Sequence, residues 1–167
     1  MIESIVKPKD GLPLTRHPDL VLISDTPKGR GVFAAKDIPA HTILETCPVL
    51  VLDPQENKLH IEKTSLYHYT YNWPTTTATG KPQTTQAVIL GLGSMFNHST
   101  ADQNVGWERD VINGLVTYKS LREIREGEEL CISYGSRLTF VDADAAAQTV
   151  DEGDGSLVLG SIEVDDI

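Results

Sequence analysis

Apolar residues in this chain come in short bursts, each closed by glycine, proline or a charged turn, and no stretch sustains a helical period. Leu20 to Ile23 is followed, past a Pro/Lys turn, by Gly29-Arg30-Gly31-Val32-Phe33-Ala34. Ile43 to Leu52 is rich in Ile, Leu and Val and is interrupted by Pro48, which suits an edge strand or two short strands. Ala87 to Leu92, Gly114 to Tyr118 and Glu129 to Tyr134 are three more compact candidates, the last preceded by the turn Arg125-Glu126-Gly127. Several short strands at close spacing predict a mainly β fold with few short helices.

Asn72 to Gln86 carries six threonines with Pro74, Gly80 and Pro82, and reads as a mobile loop. From about Val141 the chain turns to Asp, Ala and Gly, a composition suited to a short Ala-rich helix followed by an acidic tail. The expected organisation is therefore an extension over 1–18, a domain over 19–140 and a tail over 141–167.

The 167 residues match the size of one ordinary domain. The net charge of −10 is uneven: eight of the 24 acidic residues lie after Arg137, and none of the 14 basic ones does. Up to Arg137 the charges nearly balance and no basic run is visible, which disfavours direct nucleic-acid binding. A basic polypeptide would complement this charge better. Apolar runs such as Ala87–Leu92 are far shorter than the roughly 20 residues of a membrane-spanning helix. No secretory pattern opens the chain at Met1 to Asp10. An intracellular protein is expected, without membrane attachment. Cys47 and Cys131 form no disulfide framework, and no Cys/His group has zinc spacing, so no metal is expected.

Four features could carry chemistry. Closely spaced Gly29 and Gly31 let a backbone approach a ligand, but the signal is weak and a glycine pair in a β-turn is the simpler reading of this pattern alone. Asn97 and His98 directly follow an apolar run, so their polar groups sit near the interior and require partners, whether a ligand or a structural cluster with Asn104. In Glu129 to Tyr134, Leu130, Ile132 and Tyr134 alternate with Cys131 and Ser133, which turns Tyr134 inward with its hydroxyl to satisfy. Tyr69, Tyr71 and Trp73 could share one strand face, as core or as a ligand wall. Cys47 has no low-pKa context and Cys131 reads as a packed strand residue. Taken singly, none of these names a function.

Their order does. Gly-Arg-Gly-Val-Phe-Ala near the start, Asn-His-Ser with a following Asn in the middle, and Gly-Glu-Glu-Leu-x-Ile-x-Tyr-Gly near the end resemble the SET-domain protein lysine methyltransferases, in the minimal form of microbes and fungi. The resemblance spans Asp19 to Gly135, about 70% of the chain. It implies short strands in small sheets, with a C-terminal pseudoknot that brings the middle and last motifs together. It also implies S-adenosylmethionine as methyl donor, with Lys28, Gly29, Arg30, Gly31, Asn97, His98 and Tyr134 contacting it. By the same match Tyr134 is the catalytic tyrosine, and Ile132, Tyr71 and Trp73 line the substrate channel. Ile132 stands where the family often has Phe or Tyr. Lacking a hydroxyl to anchor a water, it implies methylation beyond one methyl.

Three positions depart from the family pattern: Ser133 replaces an acidic residue, Gln103 a proline and Thr100 a cysteine. The cysteine-rich, zinc-bound element that closes the channel in many members is missing. Ser136 to Ile167, chiefly through Phe140, or a second copy in a homodimer would have to supply that wall. The implied activity is direct in-line methyl transfer to a deprotonated lysine amine, on a basic protein such as a histone tail. That places the protein in the nucleus, with the cytoplasm as the alternative. Against this stand a non-catalytic peptide-binding module of the same fold and a methyltransferase for a non-histone protein.

Overall fold

The computed structural model describes residues 11–134. They form nine strands: β1 (Leu20–Thr26), β2 (Gly29–Ala34), β3 (Ile43–Val51), β4 (Thr70–Thr76), β5 (Pro82–Ile89), β6 (Asn97–His98), β7 (Val105–Asp110), β8 (Leu115–Ser120) and β9 (Glu129–Ile132). One short helix, α1 (Pro54–Leu59), and three single 3-10 turns complete the described part. The mainly β expectation holds. Residues 1–10, Gly135 and the tail with its expected channel wall lie outside the described residues.

Two sheets divide the strands. One has the order β1-β2-β9-β6, and the other β4-β5-β3-β8-β7. Between them Val32, Leu44, Phe96, Val116, Tyr118, Leu130 and Ile132 are wholly buried. β9 is buried at Leu130, Cys131 and Ile132 alike, so it is covered on both faces and not only on the alternating inward one.

Three sequence expectations need correction. Asn72–Gln86 is not a mobile loop but most of a hairpin, in which β4 pairs with β5 from Thr70↔Val88 to Thr76↔Pro82. β-branched threonines suit a pleated strand, and Gln86 ties the ladder by donating to Asn72 Oδ1 at 2.8 Å and accepting from Thr70 Oγ1 at 2.9 Å. Pro74 is tolerated because β4 is an edge strand, and Pro82 because it opens β5.

β3, by contrast, is central rather than an edge. It runs unbroken through Pro48 because its partner changes there: Ile43 to Pro48 faces β8, and Val49 to Val51 faces β5. The missing N–H falls at the handover. The apolar run Ala87–Leu92 leaves the sheet early, since β5 ends at Ile89 and Gly91 turns with φ 74°. α1 escaped sequence reading because six residues give no periodicity; Asp53 caps it by accepting from Gln55 N and Glu56 N.

Candidate active site

The three ordered motifs converge on β9. Leu130 pairs antiparallel with Val32 of β2, while Cys131 and Ile132 pair parallel with Asn97 and His98 of β6. Motifs separated by most of the chain thus become neighbours, as the resemblance implied.

Gly31 shows why the glycine motif needs its bare Cα. A Cβ there would come within 2.5 Å of Glu129 Oε1 and 3.0 Å of Asn97 Nδ2. Those two groups occupy the space: Asn97 Nδ2 donates to Glu129 Oε1 at 2.7 Å and to the Arg30 carbonyl at 2.9 Å. Gly29 needs glycine for a different reason, its φ of 85°, and nothing lies within 4 Å of its Cα substituent position. Lys28 Nζ reaches the His98 carbonyl at 3.5 Å, closing this polar wall.

His98 holds Tyr134. The Tyr134 N–H donates to His98 Nδ1 at 3.1 Å, which places the ring proton on Nε2, where it faces Thr100 Oγ1 at 3.0 Å. The two rings also lie against each other with centroids 5.2 Å apart. Tyr134's hydroxyl donates to the Phe96 carbonyl at 2.5 Å. Burial first, and then the neighbouring ionisable groups of Cys131, Tyr69 and Glu129, push this phenol up to about 12. The phenol is therefore neutral at ordinary pH and donates to the Phe96 carbonyl.

Tyr71 stands beside this group. A charge on Tyr134 would raise Tyr71, whose phenol is already pushed far up by burial. Its hydroxyl donates to the Gly93 carbonyl at 2.8 Å and its ring meets Trp107 edge-on at 5.5 Å. Ile132, on β9, is wholly buried, with its carbonyl accepting from Ser99 N at 3.1 Å. Trp73, further along β4, is buried with the Arg109 guanidinium over its ring at 5.5 Å, and Arg109 also covers Trp107 at 5.1 Å. Trp73 thus belongs to a stack at the margin of the group around Tyr134.

Two residues matter more than their motifs suggested. Asn104 is buried and acts as a strand partner to β9. It accepts from Cys131 N at 2.8 Å, and its Nδ2 donates to the Glu129 carbonyl at 2.7 Å and to Glu128 Oε1 at 3.1 Å. Glu128 is held in turn by Arg122 at 2.5 Å and by Arg125 N, interactions that lower its carboxyl to about 2. The doubled acid of Gly-Glu-Glu was the available signal, since two adjacent carboxylates repel and must find separate partners. Cys47, with its thiol pushed up to about 12 by burial and by Glu45, is no nucleophile. Among the described residues no His/Cys/Asp/Glu group could hold a metal, and no helix is long and apolar enough to cross a membrane.

Comparison with known proteins agrees with this geometry. Residues 29–135 match the SET domain family. A protein of the fission yeast Schizosaccharomyces pombe, named histone-lysine N-methyltransferase, H3 lysine-37 specific, is 45% identical over 140 residues, covering 83% of this chain and 88% of that one. Two solved structures share the fold. A candidate histone methyltransferase of Plasmodium falciparum has a TM-score of 0.51 at 23% identity, over 71% of this chain and 99% of that one. CpSET8 from Cryptosporidium has a TM-score of 0.52 at 24% identity, over 72% of this chain and 59% of that one.

Proposed function

The chain belongs to the SET domain family, and we propose that it is an S-adenosylmethionine-dependent histone-lysine N-methyltransferase whose first substrate to test is histone H3 at lysine-37. The observation that carries the reading is the convergence of the glycine motif, Asn97-His98 and Tyr134 on one short strand, in a chain closely similar to the fission yeast enzyme.

The donor fits the wall described above. Open backbone at Gly29, the Lys28 ammonium, and the Asn97 amide with its carboxylate partner Glu129 offer donors and acceptors for a zwitterionic amino-acid end. When bound, S-adenosylmethionine would supply a methyl on a positive sulfonium, its S–CH3 bond breaking to leave a neutral thioether as the methyl passes to the lysine amine.

The chain's own residues solve the charge problem. A lysine amine has an ordinary pKa near 10.4 and must lose its proton before it can attack. Ile132 and the rings of Tyr71 and Tyr134 exclude water around it, and desolvation disfavours the ammonium. Tyr134, fixed by His98 at its backbone and by Phe96 at its hydroxyl, sets the geometry in which alignment lowers the barrier. The proton leaves to solvent; no strong general base is required. A nuclear location and a basic protein partner follow from this substrate.

Incubating the protein with methyl-labelled donor and recombinant histones tests the proposal. Label on H3, lost from H3 in which lysine-37 is replaced by arginine, is the expected result. Donor binding without transfer to any histone would instead favour a binding module or a non-histone substrate.

A further inference from the structure

Tyr118, on β8 in the five-stranded sheet, is wholly buried and sits behind the site without belonging to any of its motifs. Its hydroxyl donates to the Tyr71 oxygen at 3.2 Å and lies 3.3 Å from the Gly93 carbonyl. Tyr71 in turn donates to that carbonyl at 2.8 Å. The Tyr118 proton is shared between the Tyr71 oxygen and the Gly93 carbonyl, and Tyr71 donates to that same carbonyl, so both phenols close on Gly93.

Gly93 is shaped for this arrangement. A Cβ at that position would come within 2.9 Å of the Tyr118 hydroxyl and closer still to Ile89. Gly93 opens the single turn Gly93–Met95, and the residues that follow are Phe96, Asn97 and His98. Other bonds fix the turn elsewhere: Leu92 N donates to Glu45 Oε2 at 3.0 Å, and Ser94 Oγ to the Tyr69 carbonyl at 2.8 Å. Tyr118 touches both ends of the turn. Its hydroxyl is at Gly93, and its ring packs on Phe96 with centroids 4.8 Å apart. Phe96 supplies the carbonyl that accepts the Tyr134 hydroxyl.

We propose that Tyr118 is a positioning residue for methyl transfer: its hydroxyl, shared between the Tyr71 oxygen and the Gly93 carbonyl, holds the Gly93–Met95 turn, so that the Phe96 carbonyl meets Tyr134 in one geometry. This role rests on the methyltransferase reading for its functional consequence, but the hold on the turn does not. The distinction matters because a buried phenol could equally be a packed core residue that happens to find a partner.

Tyr118→Phe separates the two, since it keeps the ring on Phe96 and removes only the hydroxyl. The expected result is a kcat lower by about tenfold, with the donor Kd changed less than about twofold. Backbone amides from Gly93 to Asn97 should also exchange with deuterium faster than in the wild type. Tyr71→Phe, which removes the acceptor, should speed the same amides, and the double variant should be less impaired than the two effects combined.

Val116→Ala provides the control. It opens a cavity at a wholly buried residue of the same strand, and should lower Tm while leaving kcat at the wild-type value. A Tyr118→Phe protein with wild-type kcat, or with unchanged exchange over 93–97, overturns the proposal. So does a kcat loss in Val116→Ala as large as that in Tyr118→Phe. If the wild type methylates no histone, the enzymatic reading falls on its own, and the exchange comparison still decides whether the hydroxyl holds the turn.

Discussion

In the five-stranded sheet, β4 meets β5 over seven residue pairs and β7 meets β8 over six, each across a short turn. In the four-stranded sheet, β9 meets β2 over two pairs and β6 over two more, with partners such as Val32 and Leu130 at opposite ends of the chain. Long local ladders need little else. The short, distant ones are reinforced by polar side chains: Asn104 on Cys131, Glu129 and Glu128, Asn97 on Arg30 and Glu129, and His98 on Tyr134. Site and clasp are thus built from the same groups. Substitutions around β9 should damage fold and function together, whereas the hairpins should tolerate change until an aromatic or buried residue is reached.

Asn104→Ala tests this contrast hardest. It leaves the Cys131 N–H and the Glu129 carbonyl without their buried partner, and we expect a loss of about 3 kcal/mol in urea unfolding. A comparable truncation at the exposed hairpin residue Thr79 should cost less than about 0.5 kcal/mol. Equal costs at both positions would erase the difference between the local hairpins and the distant pairings of β9.

Tyr134→Phe removes the hydroxyl that donates to the Phe96 carbonyl, proposed above to set the reaction geometry, and leaves the ring against His98. Turnover should fall by about 100-fold while calorimetry finds donor affinity nearly unchanged. Loss of donor affinity without loss of turnover would move Tyr134 out of its assigned role.

Ile132→Tyr probes the buried face of β9. Ile132 is wholly buried, so the larger side chain should lower stability by about 1–3 kcal/mol. In the fraction that folds, mass spectrometry of a peptide reaction should show monomethyl product accumulating where the wild type proceeds further. A wild type that halts at one methyl with excess donor present refutes this reading of Ile132.

The smallest effect should come from acid. Glu128 is held well below its ordinary 4.5, at about 2, first by Arg122 and then by Arg125 N and Asn104. A depressed carboxyl stabilises the fold fully above its unfolded pKa, and that contribution fades as pH falls from about 4.5 toward 2. Arg122 is half exposed, so solvent screens the pair and the change should be small. Glu128→Gln should flatten the stability profile in that window and lower it above the window by a small, pH-independent amount.

Sequence alone determined the mainly β class, the position of most strands and the identity of the family, because strand pattern and motif order are local or linear properties. β1, β2 and β9 could be read from apolar bursts closed by turn residues. The three site motifs could be read from glycine, Asn-His and tyrosine in sequence. Tertiary structure alone decided how Asn72–Gln86 folds, since its threonines and prolines signal a loop until β5 finds β3 and gives β4 an edge to pair with. It also decided the contacts of Asn104, Glu129 and Tyr118. Each acts on a residue far away in the chain, through a hydrogen bond whose strength comes from burial that no linear pattern records.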